Sequence, residues 1–405
     1  MKQRIKAAVK IIMAVCIAAT VALSSAGCVK DRRALYNENS EARRYAQICS
    51  ELGELVRKDF YHADAEYASH YVPEKPDDAS IAFLWPYMEL IAQVYREKTL
   101  YSDKDYLSDV YAKLIDELEY YKRLGGDGLA YCATRAADKG WATGDCYYDD
   151  NVWIAREFLN AYMLTESADY LDKAERVTAF VWSGWDDKLG GIFWQENKKT
   201  SRNTCSNAPF ALLAARLYEI TANREYLDQA IAVYEWTRDT LRDQDGVYWD
   251  NIAIVGRFPE REDGEIDTRK YAYNTGSMIA AAVKLYEITK DETFLTDAVF
   301  SAQGGAAYFM TGNPPKRMPD IPWFNLLLLD GFVELCPYYE GAHDMVKDFA
   351  DTLVYAYEHN RDKQGYVAPD WVGGWSEAYK YRNVLDHAAT AEAFGLLSYY
   401  YQFIK

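Results

Sequence analysis

Three stretches of the chain are apolar on almost every helical face: residues 152 to 163 (VWIAREFLNAYM), 208 to 218 (APFALLAARLY) and 275 to 286 (TGSMIAAAVKLY). Helices of that pattern are surrounded by protein rather than laid on a surface. Each runs into a copy of one phrase: AYMLTESADYLDKA at 161 to 174, LYEITANREYLDQA at 217 to 230 and LYEITKDETFLTDA at 285 to 298, with a fainter copy in VYREKTLYSDKDYL at 94 to 107. The phrase ends one helix, turns through a few polar residues and starts another, so the repeating unit is a helical hairpin.

A second phrase follows most copies: DDKLGGIFW at 186 to 194, DQDGVYW at 243 to 249, DKQGYVA at 362 to 368 and, more distantly, GGDGLAY at 125 to 131. Asp and Gly make the turn, and the short aromatic or β-branched run after it suits an extended segment. Equivalent tyrosines (Tyr162, Tyr218, Tyr286) lie 56 and 68 residues apart, longer than the ~34 to ~47 residues of common helical arrays. A body from residue 45 to 405 holds about six such units. The pattern predicts an all-α fold, a single (α/α)6 toroid with short β-like segments on one side; an open helical solenoid is the alternative.

Polar residues that open the inner helices of a toroid point into its central cleft. Asp149 and Asp150 open the run at 152 to 163, where free backbone N–H groups and the helix dipole favour an anion. Asp77-Asp78 and Asp186-Asp187 are read as turn or solvated pairs. The company of Asp149 and Asp150 differs: Tyr147, Tyr148 and Trp153 offer flat faces for sugar rings, and Asn151 offers an amide for hydroxyls. Glycoside hydrolysis needs two carboxyl groups about 5–5.5 Å apart for retention or about 6.5–9.5 Å apart for inversion. Neighbouring side chains on a helix diverge by roughly 100°, which places these two nearer the retaining range, and crowding raises one pKa so that one of them can serve as the acid. Trp194 and Trp249 end the loop phrase as sugar platforms or core plugs. Asn207, Asn274 and Tyr273 open inner helices and are candidates for hydroxyl binding. Trp371 and Trp375 flank a Val-Gly-Gly loop as further contacts.

Composition narrows the partners. With 45 Lys plus Arg against 62 Asp plus Glu, the net charge of -17 excludes the basic surface that nucleic acid or anionic lipid requires. The five histidines, His62, His70, His343, His359 and His387, are scattered without a second ligand at short spacing, so neither a metal nor a cofactor is expected. Lys2, Arg4, Lys6 and Lys10 precede an apolar run from Ile11 to Leu23 and the sequence Ser25-Ala26-Gly27-Cys28, which reads as an export signal. The small residues resemble a bacterial lipoprotein cleavage site, with Ser25 where Leu is usual and Cys28 as the lipidated residue. Residues 1–28 are then the signal, 29–44 a tether and 45–405 the body of an exported, membrane-anchored monomer at the outer membrane, cell surface or periplasmic face. Cys49, Cys132, Cys146, Cys205 and Cys336 remain; a Cys132–Cys146 disulfide and buried free thiols both fit.

YYDDNVWIA at 147 to 155 resembles the D-D-N-x-W signature of glycoside hydrolase family 76, bacterial and fungal α-1,6-mannanases and related transglycosylases with an (α/α)6 fold. The likeness extends through LGGIFWQENKKTSRNTCSNAPFALLAARLYEIT (189 to 221) and RKYAYNTGSMIAAAVKLYE (269 to 287). It implies a retaining endo-α-1,6-mannanase acting on yeast-type α-1,6-mannan, with Asp149 as nucleophile and Asp150 as acid/base. Transglycosylation is the sibling reading, and a non-catalytic glycan-binding lipoprotein the reading from another class. A toroidal epimerase is disfavoured, because its chemistry leans on paired histidines.

Overall fold

The computed structural model describes residues 39–76, 80–101, 103–253 and 264–405. The signal and Cys28, most of the tether, and Asp77-Asp78 lie outside the described residues. Twelve α-helices occur among the described residues: α1 (Ser40–Phe60), α2 (Leu84–Leu100), α3 (Asp105–Glu117), α4 (Tyr148–Thr165), α5 (Ala168–Trp182), α6 (Thr204–Thr221), α7 (Arg224–Leu241), α8 (Ala272–Thr289), α9 (Glu292–Phe309), α10 (Pro322–Leu335), α11 (Gly341–His359) and α12 (Val384–Phe403).

The even-numbered helices form an inner ring, each packed on the next, and α12 packs on α2 to close it. That contact decides for the toroid over the open solenoid. The odd-numbered helices lie outside, each against its hairpin partner, and α1 serves as the outer partner of α12. First and last helices thus complete the sixth hairpin. α1 begins inside the stretch expected to be tether. The side chain of Asn39 caps it by accepting from the N–H groups of Glu41 and Ala42, both at 3.1 Å, and Ala42 and Tyr45 are already core.

The repeated phrase forms the inner-to-outer turn three times over. Glu166, Ala222 and Lys290 each take a left-handed conformation, with φ of 56°, 55° and 60°, and donate back to Tyr162, Tyr218 and Tyr286 carbonyls. The preceding Thr165, Thr221 and Thr289 each donate 2.7 Å bonds to the carbonyl four residues back and accept from the N–H two residues on. A threonine at this place closes both sides of the turn, which lets a residue with a Cβ occupy a conformation that ordinarily favours glycine.

The Asp-Gly phrase lies at the other end of the hairpins. Single β-bridges join Lys122 to Tyr131, Trp185 to Ile192, Arg242 to Tyr248 and Arg361 to Val367 across these turns. Strands β1 (Tyr61–His62) with β2 (Tyr67–Ala68), and β3 (Tyr71–Val72) with β7 (Arg382–Asn383), pair on the same face. β4 (Ser201–Asn203), β5 (Trp249–Ala253) and β6 (Ile266–Lys270) form an antiparallel sheet there, leading into α6 and α8. All six inner helices start at this elaborated mouth. At the back, Asn39 Nδ2 donates to the Tyr401 carbonyl in the last turn of α12, so Asn39 and Lys405 share the face opposite the mouth. No described helix is long and apolar enough to cross a membrane.

Candidate active site

The second residues of the inner helices, at the mouth end, are Trp85, Asp149, Cys205, Tyr273, Trp323 and Leu385. Five of them form a connected arc. Cys205 Sγ donates to Asp149 Oδ2 at 3.3 Å, Tyr273 hydrogen-bonds Cys205, and the Tyr273–Trp323 and Trp323–Trp85 ring centres lie 5.8 and 5.1 Å apart. Phe324 stacks on Tyr273 at 4.2 Å. The mouth therefore has an aromatic floor with carboxyl groups on one side.

Asp149 and Asp150 stand together on that side, both half-buried, and their surroundings differ sharply. Burial raises the pKa of Asp149, but Trp194 Nε1 donates to its Oδ2 at 2.9 Å, Cys205 donates to the same oxygen, and the Asp150 N–H donates to Oδ1 at 3.0 Å. These bonds favour its ionised form. Among the described residues none donates to the Asp150 carboxyl. Burial first, and then the charge of Asp149, push it well above the usual carboxylate range. Both carboxyls are pushed up by burial, but only Asp149 has donors that offset the shift, so of the two it is the one that ionises first and Asp150 the one that keeps its proton.

The sequence candidates divide by their place on the helix. Trp194 and Tyr273 are at the site, but Tyr148, one residue before Asp149, points outward. It is buried with its ring 5.1 Å from Phe180 of α5, and a Cβ at Gly184 would sit 2.7 Å from that ring. Asn151 is fully buried. Its amide accepts from the Tyr131 N–H at 2.8 Å and donates to the Tyr131 and Tyr147 carbonyls at 2.9 and 2.7 Å, leaving nothing for a sugar. Asn207 makes the same clasp one hairpin later, to the N–H and carbonyl of Ile192 and the carbonyl of Asn203. Both asparagines tie an Asp-Gly loop to the next inner helix. Asn274 is fully buried, and Thr275 takes the clasp position in α8, accepting from Tyr248 N–H. Trp153 is buried edge-on against Trp323 beneath the floor. Trp371 is 2 % exposed, packs on Phe349 and donates to Thr390, so it is core rather than a sugar contact. Trp249 bonds the Asp243 carboxylate, and Trp375 stands beside His387.

Cys205, Asp250, Trp85, Trp323 and Phe324 were not singled out from the sequence. Cys205 occupies the place in α6 that Asp149 occupies in α4, so aligning the hairpins finds it. Asp250 follows the loop phrase directly, accepts from Asn251 Nδ2 at 2.9 Å, lies 3.6 Å from Arg269, and its charge reaches Cys205 and Tyr273. It is a third carboxylate at the mouth. No group of three or more His, Cys, Asp or Glu that could hold a metal ion occurs among the described residues. A cavity of about 1280 Å³ opens on the back face instead, lined by Arg96, Arg156, Glu157, Arg216, Glu334 and Glu392 among others. The Trp153–Trp323–Trp85 layer and the Trp323 Nε1 bond to Glu89 at 2.8 Å separate it from the mouth.

The toroid and its acidic, aromatic mouth define a class, the (α/α)6 glycoside hydrolases. The chain belongs to one family within it, Glycosyl hydrolase family 76, whose profile matches residues 58–322. Among curated proteins it is similar to mannan endo-1,6-alpha-mannosidase DCW1 of Saccharomyces cerevisiae, 26% identical over 195 residues that make up 46% of this chain and 39% of that one. The match thus spans about two fifths of that relative's length. Among solved structures it is similar to the GH76 alpha-mannanase BT2949 of Bacteroides thetaiotaomicron, with 25% identity and a TM-score of 0.77 over 88% of this chain and 96% of that one. The alpha-1,6-mannanase GH76A of Salegentibacter shares the fold at 21% identity and a TM-score of 0.71, over 88% of this chain and 99% of that one. It was solved as an inactive variant in complex with α-1,6-mannotriose.

Proposed function

We propose that the chain is a retaining endo-α-1,6-mannanase that hydrolyses the backbone of yeast-type mannan. The observation that carries the assignment of roles is the inequality of Asp149 and Asp150. Asp149, an anion held by three donors, attacks the anomeric carbon; the glycosidic C–O bond breaks, and its oxygen leaves with the proton of Asp150. Asp150, now ionised, takes a proton from water. The water oxygen displaces Asp149 from the anomeric carbon, which restores both groups. Tyr273, Phe324 and Trp194 supply faces against which pyranose rings stack, and Asp250 an acceptor for hydroxyls. The curated relatives' named activity and the family membership support mannan as substrate.

Proton NMR of an unbranched α-1,6-mannan digest is the test. Retention requires new reducing ends that appear first as the α-anomer. First appearance of the β-anomer would sink the mechanism, and recombined longer chains without net new reducing ends would replace hydrolysis with transglycosylation. The exported lipoprotein reading of residues 1–28 joins this proposal on sequence grounds, and loss of metabolic acyl labelling in Cys28→Ala is its check.

A further inference from the structure

Ahead of the catalytic helix, Cys132 and Cys146 bring their sulfurs to 3.1 Å of each other. Both are buried, at 0 and 1 % exposure. The backbone around them is antiparallel: the Ala133 N–H donates to the Asp145 carbonyl at 2.9 Å, which places Cys132 directly opposite Cys146, one step outward in the same register. In an antiparallel ladder, partners one step from a hydrogen-bonded pair carry the closer side chains. The two segments are also pinned from outside, Cys132 N–H to Tyr121 O at 2.7 Å and Glu196 N–H to Cys146 O at 3.2 Å. Closing to a bond of about 2.05 Å asks the two sulfurs to approach by about 1 Å. Cys49, Cys205 and Cys336 have no thiol neighbour among the described residues; Cys205 is engaged with Asp149 and Cys336 with the Phe332 carbonyl.

We propose that Cys132 and Cys146 form a structural disulfide that fastens the root of loop 133–145 to the start of the catalytic helix. The two thiols are not equivalent. Cys132 is favoured as thiolate because Cys146 donates to it, with the Arg123 guanidinium and the Gly144 N–H adding to the effect, whereas Cys146 is pushed up. Either thiol can open the exchange, and Cys132 is the more readily ionised of the two; the bond formed is the same for both. With a low-molecular-weight disulfide such as oxidised glutathione as oxidant, the Cys132 thiolate attacks one of its sulfurs and releases one glutathione thiolate. Cys146 then loses its proton and attacks Cys132 Sγ, which forms the Cys132–Cys146 bond and releases the second glutathione. The pair gives up two electrons and two protons, and one glutathione disulfide becomes two thiols. Because the sulfurs are buried, the exchange takes place during folding or local opening.

The bond would reach the site through one residue. Asn151 accepts from and donates to Tyr131, next to Cys132, and donates to Tyr147, next to Cys146. A bridge between the cysteines holds both of these backbone partners in place beside the turn that carries Asp149 and Asp150. Its main effect is on stability, since it closes a loop of about 15 residues in the unfolded chain.

The test is thiol counting on the purified chain, refolded in oxidised or in reduced glutathione, denatured, alkylated and weighed, with peptide mapping. The expected result is two fewer alkylated thiols in the oxidised sample, both assigned to Cys132 and Cys146. A Tm a few degrees higher than that of the reduced form, absent in Cys146→Ser, should accompany it. Equal alkylation in both samples, or a bridge to any other cysteine, overturns the proposal. The mass readout needs no variant that folds and no mannanase activity, so it stands apart from the functional proposal.

Discussion

Trp194 Nε1 donates to Asp149 Oδ2 at 2.9 Å, from the loop that joins α5 to α6. The same oxygen receives the thiol of Cys205, so a tryptophan and a cysteine from separate elements converge on one atom. Trp194→Phe keeps the ring and removes the bond. An ionised Asp149 is then less favoured, so the acidic limb of the kcat/KM profile should move to higher pH. A hydrogen bond to a charged group contributes about 1.5–3 kcal/mol, so kcat/KM should fall roughly 10- to 150-fold. A limb that stays in place would separate Trp194 from the ionisation of Asp149.

The two aspartates should differ with the leaving group. Asp149→Asn should lose at least about 10³-fold on every substrate, because no glycosyl ester can form. Asp150→Asn should lose about 10²- to 10⁴-fold on mannan but far less in the first step with a nitrophenyl leaving group, which departs without a proton. Pre-steady-state release of nitrophenol distinguishes them, and equal losses for both variants would reverse or remove the assigned roles.

Asp150 also predicts a stability effect with a definite sign. Its folded pKa lies above the unfolded value of ~3.9, so the native state holds the proton more tightly. The benefit is complete below the unfolded pKa and is lost as pH rises through the folded pKa. Asp150→Asn should therefore stabilise the protein by about 1–2 kcal/mol near neutrality and leave it unchanged near pH 3. Urea denaturation at the two pH values reads this, and an equal gain at both would sink it.

Asn151 and Asn207 hold the same clasp in successive hairpins. Alanine at either leaves buried backbone groups unpaired and should cost about 3 kcal/mol or more. Asn151→Ala should also lower activity per folded molecule further than Asn207→Ala, since its clasp sits directly under the carboxyl pair. Active-site titration combined with thermal melts separates the two effects; similar kinetics for both variants would make the clasp purely structural.

The left-handed turns offer a stabilising change. Ala222→Gly, at φ 55°, relieves a Cβ clash that costs about 1–2 kcal/mol and returns part of that as unfolded-chain entropy, for a net gain of about 0.5 kcal/mol. Lys290→Gly should match it. A loss in chemical denaturation at both positions would mean that the threonine bonds already remove the strain.

The architecture was legible because its signals are periodic. An inner helix such as 208 to 218 is apolar all round, and the phrase ending in Thr165, Thr221 and Thr289 makes the same turn wherever it occurs. Closure was expected, but the pairing of α1 with α12 that completes the sixth hairpin was not legible, since α1 carries no copy of the phrase and its partner lies at the far end of the chain. At the site, proximity in sequence was a poor guide. A helix rotates roughly 100° per residue, so of Tyr148, Asp149, Asp150 and Asn151 only the middle two face the mouth, while the outer two hold α5 and a loop. Cys205, distant in sequence, reaches Asp149 because it holds the equivalent place one hairpin on. Asp250 arrives on a strand, and no periodicity marks it.

Asn39 and Lys405 both stand on the face away from the mouth. A body held to any support at Asn39 or at Lys405, whether a lipid, a resin bead or a fused scaffold domain, therefore hangs by its back with its working face turned outward. Attachment at these two residues should be interchangeable for access to a polymer too large to diffuse behind the protein.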